Sequence, residues 1–197
     1  MRKVIVNEFV ALDGTAQAPG GPEEDPSGDF AHGGWYWPYG SEDGTDQLIN
    51  AAGGFILGRR TYELFAGFWP TAHETSPEFA VPMNTKPKYV ASRTLSPPLE
   101  WENSSLLVGP LPDAIGALKE QDGGDLIVIG STVLVHSLLA DGLVDEVRLM
   151  IAPVLVGGGK RIFPDDGVLR PLRLVDHRVT ETGTIIATYA PAVEASD

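Results

Sequence analysis

Glycine, hydroxyl and arginine side chains follow strand-like apolar segments at three places in this chain, and the first lies at residues 55–62. There, an apolar Phe-Ile-Leu run ends in Gly58, Arg59, Arg60 and Thr61, and an amphipathic segment follows. A strand that ends at a glycine and leads into a helix presents free backbone N–H groups and the positive end of the helix dipole. Arginine adds a planar set of donors that suits phosphate. These residues predict a site for a phosphorylated cofactor, with an ordinary strand–helix turn and solvated arginines as the alternative.

The other two strand ends carry similar groups. Residues 89–93 end in Ser92 and Arg93, and the apolar run before Gly130 and Ser131 leads into a second predicted helix. Ser131 or Thr132 would cap that helix, and its N-terminus would receive phosphate. In open α/β sheets, ligands bind beyond the carboxyl ends of the strands. The chain has neither a P-loop nor a GxGxxG after a strand, which disfavours an ordinary Rossmann domain.

The composition describes an acidic globular protein. Of 197 residues, 43% are hydrophobic, and the absence of cysteine excludes a disulfide framework and a thiol nucleophile. The net charge of -13 disfavours binding to nucleic acid. No apolar run approaches the ~20 residues of a membrane helix, and the chain begins directly with an apolar strand-like run. We expect a single domain over residues 1–197, located in the cytoplasm, with no nucleic-acid or membrane partner.

Strand-like and helical segments alternate along most of the chain. This predicts an α/β fold with a mixed, mostly parallel central sheet flanked by helices. A C-terminal antiparallel hairpin is expected at 172–179 and 184–189. The other strands are predicted at 4–12, 55–57, 88–92, 106–108, 126–129 and 144–156, and the helices at 45–52, 112–121 and 131–140. Trp69 and Phe79 fall in a stretch that is predicted to be irregular.

Residues 13–43 form a long segment rich in glycine, proline and acids, without a helical or strand period. Long loops inside compact domains tend to be functional or mobile. This one also carries Trp35, Tyr36, Trp37 and Tyr39, too many aromatic residues for a disordered linker. We predict a packed loop whose aromatic side chains either stack on a flat heterocycle or pack in a dimer interface.

Short motifs occur in a fixed order along residues 11–163. Ala-Leu-Asp-Gly stands at 11–14, Leu-Gly-Arg-Arg-Thr-Tyr-Glu at 57–63, Ser-Arg at 92–93 and Ile-Gly-Ser at 129–131. Leu-Val-Asp-Glu-Val at 143–147 leads to Pro-Val-Leu-Val-Gly-Gly-Gly-Lys-Arg-Ile-Phe at 153–163. In this order the motifs resemble the RibD C-terminal-domain family, which has the dihydrofolate-reductase-like fold. The resemblance implies an NADPH-dependent oxidoreductase of a small pyrimidine- or pteridine-like heterocycle, similar to 5-amino-6-(5-phosphoribosylamino)uracil reductase of riboflavin biosynthesis.

The same resemblance implies where NADPH would bind. The nicotinamide would contact Ala11 and Leu12, and the adenosine 2′-phosphate would contact Ser92 and Arg93. The pyrophosphate and the 2′-phosphate region would be held by Gly58, Arg59, Arg60 and Thr61. The pyrophosphate and the nicotinamide ribose would be held by Gly130, Ser131, Thr132, Val133 and Leu134, and Ile129 is also expected to bind the cofactor. An arginine at a strand end agrees with a 2′-phosphate, because NAD specificity usually shows an acid at the ribose.

The proton donor is sought among carboxylates. Hydride transfer must be followed by a proton from a side chain or from water. We predict Asp13 as the catalytic residue because it directly follows the strand end assigned to the nicotinamide; its alternative role is turn formation, since Asp-Gly is a turn dipeptide. Glu42, Asp43 and Asp46 lie in the region where dihydrofolate reductases carry a carboxylate. Asp46 is also predicted to bind substrate, together with Trp35, Trp37 and Tyr39.

Two classes of function remain open at this point: the reductase, and a non-catalytic nucleotide-binding or interaction protein with the same fold. Family members commonly pair, and the segment 143–156 carries more apolar side chains than one core needs. A homodimer is therefore expected, because an exposed apolar strand face must be covered. The four histidines show no spacing typical of metal ligands, so no metal is expected.

Overall fold

A computed structural model describes residues 1–40 and 42–192 of the chain. Among these residues, the strands are β1 (Val4–Ala11), β2 (Gly54–Gly58), β3 (Lys88–Ala91), β4 (Ser104–Leu106), β5 (Leu126–Ile129), β6 (Glu146–Ala152), β7 (Leu172–Val179) and β8 (Ile185–Pro191). The helices are α1 (Thr45–Ala51), α2 (Arg59–Phe68), α3 (Pro77–Thr85), α4 (Leu111–Glu120) and α5 (Thr132–Ala140).

The strands form a sheet in the order β4-β3-β2-β5-β1-β6-β8-β7. β2 pairs in parallel with β3 and β5, and β3 pairs in parallel with β4, whereas β8 pairs antiparallel with β6 and β7. The predicted α/β fold, a mostly parallel sheet with a C-terminal antiparallel pair, is confirmed. The chain divides into two compact units: the first contains residues 1–5 and 44–143, and the second contains residues 6–43 and the chain from 144 onward.

In the first unit, parallel pairing brings the carboxyl ends of three strands to one edge. Gly58 at the end of β2 is opposite Ala91 of β3, and Phe55 of β2 is opposite Ile127 of β5. β2 and β5 are apolar and buried over almost their whole length, as parallel strands with two covered faces should be. The segments that follow these three strands, which hold the predicted phosphate-binding residues, therefore all start at the same edge.

Helix α3 contradicts the prediction that the stretch around Trp69 and Phe79 is irregular. Pro77 lies in the first turn, where its missing N–H costs no hydrogen bond. Pro82, however, lies inside the helix, where proline is strongly disfavoured. Both Pro82 and Met83 are buried, so tertiary packing holds a helix that the local sequence does not favour.

The long loop of the second unit is packed, as predicted, and Gln17 is its central anchor. Gln17 Nε2 donates to the backbone oxygen of Asp25 at 2.8 Å, and Gln17 Oε1 accepts from the Lys160 N–H at 2.9 Å. The backbone oxygen of Gln17 accepts from Trp35 Nε1 at 2.8 Å. The bonds to Asp25 and Trp35 hold the loop together, and the bond to Lys160 joins it to a segment 143 residues away in the chain.

The strand that motivated the dimer prediction does not expose an apolar face. β6 is shorter than the predicted strand at 144–156, and Val147 and Met150 are buried within it. That argument was wrong, because β8 and the core of the second unit cover β6. β7 is the strand that exposes an apolar set: all eight of its residues are exposed, including Leu174 and Val175. The homodimer itself stays a prediction.

Residues 1–40 and 42–192 contain neither a membrane-spanning helix nor a cluster of metal ligands. No helix there is long and apolar enough to cross a lipid bilayer. No group of three or more histidine, aspartate or glutamate side chains there is arranged to hold a metal ion.

Candidate functional site

The starts of helices α2 and α5 meet in the first unit. The Gly58 N–H, directly before α2, donates a hydrogen bond to Oγ of Ser131, directly before α5, at 2.9 Å. A Cβ atom added to Gly130 would approach Thr61 Oγ1 to 3.3 Å. Gly130 also has a φ of 60°, in the region that favours glycine. Glycine is therefore favoured at this position both by the backbone conformation and by the close approach of Thr61 in α2.

Both helix starts leave backbone N–H groups uncapped. Ser131 occupies the N-cap position of α5, but no side-chain hydrogen bond caps α2 or α5. Ser131 is thus the N-cap residue, as predicted, but its Oγ accepts the Gly58 N–H and makes no capping bond to α5. The first N–H groups of an α-helix have no partner inside the helix. The two starts therefore combine open donors with positive dipole ends, which suits an anion.

The three arginines predicted to bind phosphate differ in how their charge is used. Arg59 Nη1 forms an ion pair with Glu63 Oε2 at 2.9 Å, one turn further along α2. Arg60 and Arg93 are exposed, and neither has a hydrogen-bond or ion-pair partner in the described part of the chain. Of these three arginines, Arg60 and Arg93 are therefore available to an anionic ligand.

The hydroxyl of Ser92 shapes the turn after β3. Ser92 Oγ accepts hydrogen bonds from the N–H groups of Thr94 at 3.1 Å and Leu95 at 3.0 Å. This is the local side-chain-to-backbone bonding that serine uses in turns. This turn sets the backbone conformation around Arg93. Ser92 therefore has a structural role in addition to its predicted contact with the 2′-phosphate.

The remaining predicted cofactor residues of the first unit offer mainly backbone. Ile129 and Leu134 are buried in the core, and Thr132 is half-buried. Val133 is 76% exposed, so its side chain points away from the core. Any ligand at the start of α5 would therefore meet the N–H groups of this segment rather than reactive side chains.

Ala11 and Leu12, the predicted nicotinamide contacts, belong to the second unit and lie at the end of β1. The Ala11 N–H donates to the Thr15 oxygen at 2.8 Å, and the Leu12 N–H donates to the Val154 oxygen at 2.9 Å. Ala11 is buried, whereas the Leu12 side chain is 63% exposed. An exposed leucine on a well-bonded backbone offers apolar surface to a flat ring.

The Asp13 carboxylate is bonded to backbone on both oxygens. Asp13 Oδ2 accepts from the N–H groups of Gly157 at 2.7 Å and Val156 at 3.1 Å, and Oδ1 accepts from Thr15 at 3.2 Å. Burial alone would raise the pKa of Asp13, but the bonds from Gly157, Thr15 and Val156 outweigh it and lower the pKa. The carboxylate is therefore ionised at neutral pH, and its geometry favours the turn-forming alternative over proton donation.

The predicted substrate aromatics have different surroundings. Trp35 is 9% exposed, and it packs edge-on against Tyr36 in the core of the second unit. Trp37 is 73% exposed, with its Nε1 donating to the Gly20 oxygen at 2.6 Å. Tyr39 is half-buried at the edge of the same core. Trp37 is the aromatic residue of this set with a ring face open for stacking.

The acids predicted near the substrate do not all fall in one unit. Asp46 lies in the first turn of α1, in the first unit, where an acid suits the helix dipole. Asp43 and Glu42 belong to the second unit. Asp43 is buried, whereas Glu42 is exposed and its backbone oxygen accepts from Arg178 Nη2 at 2.5 Å.

A buried polar cluster in the second unit was missed by sequence reasoning. Tyr36 OH donates to Asp43 Oδ2 at 3.0 Å, Arg148 Nη1 donates to Asn7 Oδ1 at 2.6 Å, and Arg148 Nη2 donates to the backbone oxygen of Asp43. Burial, followed by the charge of Asp43, raises the pKa of Tyr36. The available signal was a polar residue inside an otherwise apolar strand, at Asn7 in β1 and at Arg148 in β6.

Glu8, the next residue of β1, is a buried carboxyl group. It is 2% exposed, and its Oε1 has no hydrogen-bond partner in the part of the chain that the structure describes. Burial raises the pKa of Glu8 well above its ordinary value, and the charge of Glu24 raises it further. Burial also raises the pKa of Glu24, whose Oε2 accepts from the Gly20 N–H at 2.6 Å. Glu8 therefore keeps its proton at a pH where Asp13 is ionised.

Comparisons with known proteins agree with this architecture. A family model described as the RibD C-terminal domain matches residues 2–186. YyaP of Bacillus subtilis (strain 168), described as uncharacterized, is 27% identical over 192 residues, which cover 95% of this chain and 94% of YyaP. RibD of Acinetobacter baumannii is 18% identical with a TM-score of 0.65, over 98% of this chain and 59% of RibD. Dihydrofolate reductase from Enterococcus faecalis, complexed with NADP(H), is 14% identical with a TM-score of 0.61, over 96% of each chain. The two structures show a shared dihydrofolate-reductase-like fold.

Proposed function

Because the chain belongs to the RibD C-terminal domain family, we propose that it is an NADPH-dependent reductase of a small pyrimidine- or pteridine-like heterocycle. The family and the dihydrofolate-reductase-like fold support a reductase role. The observation that carries the choice of cofactor lies in the first unit: two uncapped helix starts in contact with each other, together with Arg60 and Arg93, which have no partner within the described residues.

The residues of the first unit suit NADPH. Open N–H groups at the starts of α2 and α5 would bind the pyrophosphate, and the absence of a side chain at Gly130 lets the two starts approach. Arg93 would hold the 2′-phosphate that distinguishes NADPH from NADH, since a guanidinium forms charge-assisted bonds with phosphate. Arg60 would add positive charge to the same end. NADPH, when bound, supplies a hydride.

The proton that must follow the hydride needs a group that carries one at the working pH. Asp13 fits this role poorly, because three backbone N–H groups stabilise its ionised form. Glu8 fits it better, because burial and the charge of Glu24 raise its pKa well above the ordinary value, so it holds its proton to a higher pH than Asp13 does. We therefore propose that Asp13 shapes the turn after β1, and that Glu8 is the carboxylic acid of the second unit that stores the proton.

Cofactor selectivity provides a direct test. Calorimetric titration should give tighter binding of NADPH than of NADH. Arg93→Ala should reduce the difference in binding free energy between NADPH and NADH by roughly 1.5–3 kcal/mol, the value of one charge-assisted hydrogen bond. This corresponds to a change of about 10- to 150-fold in the ratio of the two Kd values. Arg173→Ala is the matched control, because it removes the same charge from an exposed position on β7 in the second unit. Equal affinity for NADPH and NADH in the parent protein would contradict the assignment of Arg93.

Turnover separates the reductase from the second candidate, a non-catalytic nucleotide-binding protein. The observation that favours this alternative is the commitment of Asp13 to backbone bonds, which leaves the predicted catalytic acid without a free proton. NADPH oxidation should be followed spectroscopically with a panel of heterocycles, beginning with the ribosylaminopyrimidine of riboflavin biosynthesis. Tight NADPH binding without oxidation by any member of the panel would favour the non-catalytic protein.

The homodimer is proposed on a different strand from the one first expected. β7 is exposed along its whole length and carries Leu172, Leu174, Val175 and Val179. An apolar edge strand of this kind is a liability unless another chain covers it. Sedimentation should show a dimer, and Val175→Lys should shift it towards monomer. A parent protein that sediments only as monomer at micromolar concentration would contradict the proposal.

A further inference from the structure

Glu63, the last residue of the motif at 57–63, has no role in the cofactor site described so far, but it holds an arginine that belongs to that site. Both of its carboxylate oxygens accept from Arg59 Nη1, Oε2 at 2.9 Å and Oε1 at 3.2 Å. The Arg59 and Glu63 side chains are 42% and 46% exposed, so a ligand can reach the pair from solvent. Among the three arginines predicted to bind phosphate, Arg59 is therefore the one whose charge already has a partner within the described residues.

The position of this ion pair is unfavourable for α2 itself. Arg59 and Arg60 are the first two residues of α2, and the first turn contains no acid. Cations at a helix N-terminus oppose the helix dipole. Charged pairs four residues apart stabilise a helix best when the acid precedes the base, and here the base comes first. Arginines that stand against these local preferences indicate a binding role rather than a contribution to the stability of the helix.

An anion at the start of α2 would offer Arg59 a second partner. The Arg59 guanidinium is bonded to Glu63, one turn further along α2, whereas the open N–H groups that suit phosphate lie at the helix start. We propose that Glu63 is a displaceable counter-ion: Arg59 exchanges the Glu63 carboxylate for a phosphate group of NADPH, so that Glu63 competes with the cofactor and lowers its affinity. This inference rests on the proposed function, because it concerns the same cofactor site.

The direction of the effect follows from the strengths of the two contacts. An exposed ion pair between side chains contributes little to stability, whereas a guanidinium forms bidentate, charge-assisted bonds with phosphate. The Glu63 carboxylate also repels phosphate groups through space, by an amount that salt screens. Both effects oppose binding, so removing the charge of Glu63 should strengthen it. When the oxidised cofactor leaves, Glu63 would take Arg59 back, which favours release.

Glu63→Gln tests the exchange, because it removes the charge and keeps the size of the side chain. Calorimetric titration of the full chain at low salt should show about 2- to 5-fold tighter binding of NADPH, the effect of one exposed ion pair. The gain should shrink as salt is raised, and stopped-flow measurement should show slower dissociation of NADP⁺. The control is Glu120→Gln at the exposed end of α4 in the same unit, which removes the same charge and should leave both values unchanged.

Arg59→Ala separates the exchange from a general effect of charge. In this background the gain from Glu63→Gln should be smaller than in the parent chain, since no guanidinium is released and only the repulsion is removed. An equal gain in the two backgrounds, or unchanged affinity in Glu63→Gln, would overturn the exchange. Weaker binding in Glu63→Gln would also overturn it, because Glu63 would then position Arg59 for the cofactor.

The exchange and the proposed function fail in different ways. A parent protein that does not bind NADPH would refute the proposed function and the exchange with it. A parent protein that binds NADPH, together with a Glu63→Gln variant of the same affinity, would refute the exchange alone.

Discussion

Replacement of Gly130 by alanine probes the contact between the starts of α2 and α5. The added Cβ atom would lie 3.3 Å from Thr61 Oγ1 and 3.4 Å from Thr61 Cγ2, so Thr61 must shift by a few tenths of an ångström. Gly130 also has a φ of 60°, which is unfavourable for alanine. Gly142 offers a matched control, because its φ of 64° is nearly the same and an added Cβ atom would meet nothing within 4 Å.

The expected magnitudes follow from this difference. Placing alanine in the left-handed region costs about 1–2 kcal/mol, and the loss of chain entropy in the unfolded state returns about 0.4–1 kcal/mol. Gly142→Ala should therefore lower the free energy of unfolding by at most about 1.6 kcal/mol. Gly130→Ala should lower the free energy of unfolding by the same amount plus the cost of moving the Thr61 side chain. Because that movement displaces the N–H groups at the start of α2, its affinity for NADPH should fall about tenfold or more, the equivalent of one charge-assisted hydrogen bond.

Urea unfolding measures the two stability changes, and calorimetric titration with NADPH measures the affinities. The reasoning requires that Gly142→Ala binds NADPH like the parent protein while Gly130→Ala does not. If both variants lose the same stability and both bind NADPH normally, the meeting of the two helix starts is a packing feature and the assignment of the cofactor site to it is refuted.

Four further substitutions address the second unit. Burial and the charge of Glu24 raise the pKa of Glu8 in the folded chain, so its contribution to stability is complete below pH 4.5 and is lost as the pH rises towards the folded pKa. Over that range the free energy of unfolding should fall by up to about 1.4 kcal/mol per pH unit. Glu8→Gln should remove this pH dependence, as measured by urea unfolding at a series of pH values. A pH dependence that is unchanged in Glu8→Gln would mean that Glu8 is already ionised in the folded protein. Asp13→Asn replaces one accepting oxygen by an N–H₂ group, so it should lower the free energy of unfolding by about 1–3 kcal/mol. The turnover rate of this variant should stay within about tenfold of the parent protein. A fall in turnover of about 10²–10⁴-fold would instead show that Asp13 is the proton donor. Trp37→Leu should reduce the quenching of tryptophan fluorescence by a heterocyclic ligand at little cost in stability, since the Trp37 side chain is 73% exposed. The buried Trp35 should behave differently, and Trp35→Leu should lower the free energy of unfolding by roughly 2–4 kcal/mol. Quenching that persists in Trp37→Leu would mean that the Trp37 ring does not stack on the ligand.

The parts of the fold that were predictable from the sequence are those with a local cause. β2 and β5 are short apolar runs that end at or before a glycine and lead into amphipathic helices, and this alternation alone indicates a parallel sheet. The helix α3 was not predictable in this way, because Pro82 opposes it locally and burial in the core holds it. The exposed apolar strand face was expected on β6 and lies on β7, because an apolar run looks the same in the sequence whether neighbouring strands cover it, as in β6, or leave it exposed, as in β7.

In the candidate site, too, the features with a local cause were predictable from the sequence and the long-range contacts were not. The helix starts that follow Gly58 and Gly130 could be placed from the sequence, because a strand, a glycine and a helix are consecutive in the chain. The partners of Asn7 and Asp13 could not, since Arg148 and the Val156 N–H lie 141 and 143 residues away.

Residue types and local order thus determined by themselves where open N–H groups and arginines gather. Only the tertiary structure decided the state of each acid in the second unit. A carboxyl group responds to the charges, hydrogen bonds and burial around it, and distant segments supply these: backbone N–H groups lower the pKa of Asp13, while burial and the charge of Glu24 raise the pKa of Glu8.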